Sequence, residues 1–162
     1  MKFRVSSALI QIVAGILAAF PLSAADPFTG VWVMNAGKST FHAAPMRSFR
    51  ETIIEGDGQV RIRRQMIDRT GKAIDRTYVY VLDGKSHIAD FEADASHSHH
   101  TIVCKRNGRR EIERVTDHDH GKATTTNRHT LSADSKTITL VRSGSDDGTG
   151  KPYRDTLILE KQ

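Results

Sequence analysis

The stretch SFRETIIEGDGQVRIRRQMI (residues 48–67) decides the fold. Two strand-like runs, 48–54 and 60–67, flank Glu55-Gly56-Asp57-Gly58. Asp-Gly favours the φ > 0 turns that join neighbouring antiparallel strands. Side chains alternate in the second run. Val60, Ile62 and Met66 share one face with Arg64, while Arg61, Arg63 and Gln65 take the other, which is the two-residue period of a strand. The same pattern repeats on both sides. Further strands are expected near 30–35, 75–82, 86–91, 101–105, 110–117, 122–131, 136–143 and 153–160. Between them lie Arg69-Thr70-Gly71-Lys72, Asp83-Gly84-Lys85, Asn107-Gly108 and His120-Gly121. Helix signals are almost absent from this region. About 8–10 short strands joined by hairpins predict an all-β protein, an antiparallel up-and-down barrel or a strongly curved meander.

Alternation also predicts what faces inward. In TITLVR (137–142), Ile138 and Leu140 share a face with Arg142; in TYVYVL (77–82), Tyr78, Tyr80 and Leu82 oppose Val79 and Val81. Aromatic residues make up only 6% of the chain, so a partly polar interior or a small cavity is expected rather than a large apolar lumen. Arg64 and Arg142, if inward, could pair with the carboxylate of a bound molecule. Ile62, Tyr78, Tyr80 and Leu140 would line its apolar part. A bulge in either strand would instead turn the arginine to solvent.

TGVWVMNAGKSTF (29–41) resembles the opening of a lipocalin-like family of small exported bacterial proteins. The pattern Gly-x-Trp, Asn, Lys-Ser-x-Phe is met by Gly30, Trp32, Asn35, Lys38, Ser39 and Phe41. Gly71-Lys72, Asp83-Gly84-Lys85, Lys105-Arg106, Gly121-Lys122, the run Ser132–Thr139 and the final Lys161-Gln162 follow in the family's order. The chain departs from the pattern at Ser135, where a turn glycine is usual, and at Ser86-His87, where an aromatic-proline pair is common. The resemblance implies a calycin-type barrel and, by analogy of fold alone, a small or amphipathic ligand.

The chain opens with Met1-Lys2-Phe3-Arg4, then an uncharged apolar run, Val5–Phe20, then Pro21 and the small residues Ser23-Ala24-Ala25. This is the pattern of a secretory signal peptide, too short to span a bilayer stably, with cleavage near Ala25. Residues 26–162 are then expected to form one lipocalin-like domain, periplasmic or secreted, with no transmembrane segment. Losing Lys2 and Arg4 leaves 22 basic and 19 acidic side chains, a net +3. That balance argues against nucleic-acid wrapping and allows weak contact with an anionic envelope surface. Cys104 has no second cysteine to join, so it reads as a small buried hydrophobe.

Four stretches invite chemistry and lack its requirements. AGKST (36–40) resembles the end of a phosphate loop, but Trp32 stands where the first glycine is needed. GSDDGTG (144–150) has no serine centred in Gly-x-Ser-x-Gly and no closing glutamate for calcium. RIRR (61–64) and KRNGRR (105–110) carry no interleaved aromatics for base stacking. These read as a loop, a hairpin turn and solvated strand faces.

The histidines are different. ASHSHH (95–100) and TDHDHG (116–121) hold five of the eight: His97, His99, His100, His118 and His120. In a meander the connections alternate between the two ends of the barrel. The loops around 36–48, 68–74, 92–100, 118–121 and 144–151 then share one rim. That places the clusters two strands apart, roughly 10 Å. Imidazoles suit Zn²⁺, Cu²⁺ or Ni²⁺, with Asp117 or Asp119 adding an oxygen or second-sphere support. Solvated turns, or pH sensing, fit the same residues. The sequence therefore supports a non-enzymatic ligand-binding barrel first, a metal-binding protein with two His-rich rim loops second, and a barrel enzyme using rim His and Asp as acid and base third. No nucleophile or fixed catalytic spacing accompanies the last.

Overall fold

Ten strands build a single sheet in the computed structural model, which describes residues 26–89, 100–118, 123–145 and 150–162. They are β1 Gly30–Met34, β2 Ser48–Gly56, β3 Gln59–Ile67, β4 Ala73–Val81, β5 Asp83–Ala89, β6 His100–Asn107, β7 Glu111–His118, β8 Ala123–Leu131, β9 Thr137–Ser145 and β10 Pro152–Lys161. No boundary differs from its expected place by more than three residues. Every pairing is antiparallel, and β1 joins β10, giving the order β4-β3-β2-β1-β10-β9-β8-β7-β6-β5. The sheet thus curls into a nearly closed up-and-down barrel with its seam between β4 and β5.

Turn chemistry explains the register. Asp57 (φ 53°) and Gly58 (φ 71°) occupy the left-handed region in succession, as a tight hairpin between right-twisted strands requires. Asp83-Gly84-Lys85 behaves otherwise than expected. Leu82 makes the reversal, and the three residues enter β5 as an irregularity in its pairing with β6 between Asp83 and Ser86. The Asp83 side chain accepts the Lys85 N–H at 2.8 Å, so the polar turn residue bonds its own backbone there. Ala36–Lys38 form a short 3₁₀ turn leaving β1, not the long helix a phosphate loop precedes.

The end holding the β2–β3, β6–β7 and β8–β9 turns is closed by apolar packing. Phe28, Trp32, Ile53, Val60, Ile138, Leu140, Leu157 and Leu159 are all buried to within 1% of fully. Each such side chain contributes about 1.5–3 kcal/mol relative to exposure. Trp32 Nε1 donates to the Phe28 carbonyl at 2.8 Å, so its only polar atom is satisfied inside the core. Beside this plug, Arg106 pairs with Asp26 (2.8 Å) and Glu55, and its guanidinium lies 5.4 Å from the Phe28 ring centre.

Candidate functional site

Moving from this base toward the other end, the inward positions turn polar. Glu51 on β2, with no solvent exposure, receives Arg64 of β3 on Oε1 (Nη2 at 2.6 Å, Nε at 3.0 Å). Its Oε2 lies 3.0 Å from Nε2 of His129, on β8 across the barrel. Burial alone would push the Glu51 carboxyl up. The charges and hydrogen bonds of Arg64 and His129 outweigh it and hold that carboxyl well below the usual carboxylate range. A second bond crosses the barrel, where Arg114 Nη1 of β7 donates to the Tyr80 hydroxyl of β4 at 2.5 Å. Burial raises the Tyr80 pKa, which keeps the phenol neutral. Tyr78 and Tyr80 stack at 5.9 Å, and Arg64 and Arg114 lie over the Tyr78 ring at 5.6 and 5.9 Å.

Arg114, Asn127 and Arg142 form one row across β7, β8 and β9, since Arg114 pairs in register with Asn127 and Asn127 with Arg142. Among the described residues, Nε of both arginines and both amide atoms of Asn127 are buried without a hydrogen-bond partner. Burial, and next the charge of Arg64, lower the Arg142 pKa. Glu51 is committed to Arg64; Asp155, the half-buried β10 register partner of Arg142, offers it a favourable charge but also accepts the His42 N–H at 2.9 Å. Beyond the apolar base, the buried and half-buried inward positions among the described residues therefore carry three guanidinium groups, Arg64, Arg114 and Arg142, against two carboxylates, Glu51 and Asp155.

All six residues expected to line a ligand do lie on the inward face: no bulge interrupts β3 or β9. Two have other work, however. Arg64 is bound by Glu51, and Leu140 is fully packed in the base. Glu51, Arg114, Asn127 and His129 were missed. Their signal was present, because Arg114 alternates with Ile112 and the pair Asn127 and His129 with Leu131, each a buried residue.

His100 opens β6 and His118 ends β7, and their rings meet edge to face with centres 4.5 Å apart. The rim is shared, as expected, but the separation is one strand rather than two. His100 and His118 flank the open end of the β6–β7 hairpin, on adjacent strands. His118 Nε2 also lies 3.2 Å from Thr125 Oγ1. Alternation sends Asp117 to the opposite face from His118, which removes it from the inward histidine pair. His97, His99, His120 and Asp119 lie outside the described residues, as do residues 1–25, which the sequence leads one to expect as a leader. Among the described residues no group of three or more His, Cys, Asp or Glu side chains is arranged to hold a metal ion.

A cleft of about 200 Å³ lies at the seam, lined by Val79, Tyr80, Val81, His87, Ile88, Ile102 and Cys104. Burial pushes the Cys104 thiol up to about 11, so it stays protonated and chemically quiet at neutral pH.

The sequence matches no family model and no curated protein. Solved structures do share the fold. A mutant of the fluorescent protein UnaG has a TM-score of 0.53 at 14% identity, with 84% of this chain and 96% of that one covered. Secretory abundant heat soluble protein 4 from Ramazzottius varieornatus gives 0.56 at 9%, covering 85% and 96%. Zebrafish ileal bile acid-binding protein, solved with cholic acid, gives 0.49 at 10%, covering 84% and 99%. At such identities the likeness is one of fold alone, and this chain shares with the first two a nearly closed, antiparallel up-and-down calycin-type β-barrel.

Proposed function

We propose that the protein is an exported, non-enzymatic member of the lipocalin-like family, periplasmic or secreted after cleavage near Ala25, whose barrel binds a small amphipathic acid. One observation carries this reading: the interior holds more guanidinium than carboxylate, and Arg142 has a buried donor, Nε, with no partner among the described residues. A largely buried guanidinium with an unpartnered donor is costly even with Asp155 nearby, and an entering carboxylate relieves that cost with charge-assisted hydrogen bonds. Tyr78, Tyr80 and Ile62 offer the apolar wall beside it. Arg142→Ala removes one partner of such a pair, worth about 1.5–3 kcal/mol, roughly ten- to a hundredfold in affinity. Titration of a fatty acid into both proteins tests this, and equal affinities would remove Arg142 from the site. Arg64→Ala is the poorer test because it strands Glu51. Intact mass of the exported protein tests the leader; a mature soluble product retaining residues 1–20 would refute it.

The contact between His100 and His118 favours a second reading, a divalent metal held at the rim. Zn²⁺ or Cu²⁺ should then bind once per chain near neutral pH, more weakly as pH falls through the imidazole range near 6.5. The pairs His97→Ala/His99→Ala and His118→Ala/His120→Ala should each abolish most of it. Two independent weak sites in calorimetry would end this reading.

A further inference from the structure

The row across β7–β9 specifies more than an acid, and this inference rests on the acid-binding reading above. Asn127 is 1% exposed and points inward with His129 and Leu131 on β8. Its side chain offers two N–H donors and a carbonyl acceptor, and neither Nδ2 nor Oδ1 has a partner among the described residues. The register neighbours on either side, Arg114 and Arg142, are pure donors. They can never satisfy Nδ2. Along its own strand, His129 is the next inward residue toward the base, and its Nε2 is held by Glu51. The Asn127 N–H groups therefore require an acceptor from whatever occupies the barrel.

A plain carboxylate supplies that acceptor and draws in the two arginines, but neither arginine donates to Oδ1 in the structure, so Oδ1 is left without a donor of its own. An N–H placed beside the carboxylate completes the set. We propose that the ligand is an N-acylated α-amino acid. In an extended residue the N–H and the C=O point to the same side. The edge of Asn127 then takes both, Nδ2 donating to a carboxylate oxygen and Oδ1 accepting the adjacent N–H. The other carboxylate oxygen meets the arginine row. The acyl chain lies along Tyr78 and Tyr80.

The experiment is calorimetric titration of the full mature chain with N-dodecanoylglycine and with a free fatty acid of matched chain length. The wild-type protein should prefer the N-acyl compound by about tenfold or more, the scale set when a buried polar group finds its partner. In Asn127→Leu, close in volume and without the amide, that preference should fall to about one. Replacing an unpartnered buried amide by an apolar group does not threaten folding, and a melt of the variant checks this. If both compounds bind the wild-type protein equally, or if Asn127→Leu weakens both by the same factor, the inference is overturned and Asn127 serves water or the arginines. If neither acid binds at all, the acid-binding reading fails with it.

Discussion

Glu51→Gln is the sharpest test of the polar girdle. Glu51 accepts two hydrogen bonds from Arg64 and lies within hydrogen-bonding distance of His129, all without solvent contact. Removing its charge leaves the Arg64 guanidinium buried without a counter-ion, a change that typically costs about 3–5 kcal/mol. At about 2 cal/mol/K of unfolding entropy per residue, and 137 residues from Asp26 to Gln162, that is a fall in Tm of about 10–17 °C. Urea and thermal melts followed by circular dichroism measure it. The double variant Glu51→Gln/Arg64→Met should be more stable than Glu51→Gln, because the stranded cation is gone. Acid provides an independent check. The folded-state pKa of Glu51 is depressed below its ordinary 4.5. Its stabilisation is therefore present above about pH 4.5 and lost as pH falls toward the lower folded value. Glu51→Gln should lack that part of the acid dependence. A cost below about 1 kcal/mol, with a double variant no better, would refute the pairing, since that is the worth of an exposed ion pair.

Asp75→Asn breaks an ion pair of similar length, Arg63 to Asp75 at 2.7 Å, but both side chains are about half exposed. Chemical melts should show a midpoint close to that of the wild-type protein, because solvent screens such a pair. Leu140→Ala opens a hole in the packed base and should cost about 2–5 kcal/mol by the same assay. Ser135 sits at φ 57°, where a side chain is strained. Ser135→Gly should leave stability equal or raise it by up to about 1 kcal/mol, the strain relieved exceeding the chain entropy added. A clear loss there would mean that the serine side chain holds the turn.

Strand number, order and facing were legible because each rests on local chemistry. Asp57-Gly58 turns the chain, and the period of Val60, Ile62 and Arg64 fixes the inward face, whatever lies opposite. Even Arg142, charged as it is, was placed correctly, since Ile138 and Leu140 set the parity of its strand. Partners were not legible. Only Glu51 and Arg64 are brought together locally, as register partners across the Asp57-Gly58 turn; nothing near them in the chain shows that His129 completes the set from across the barrel. Asn127 reads as an ordinary polar strand residue until Arg114 and Arg142 are seen on either side of it. The rim histidines show the same division. Loop parity brought the two clusters to one end, while the step between β6 and β7 decided that His100 and His118 touch. Local sequence by itself determined where each strand runs and which way each side chain points. Tertiary structure alone decided which buried polar groups meet across the barrel, His129 with Glu51 and Arg114 with Tyr80, because those contacts depend on the curl of the whole sheet and on no single hairpin.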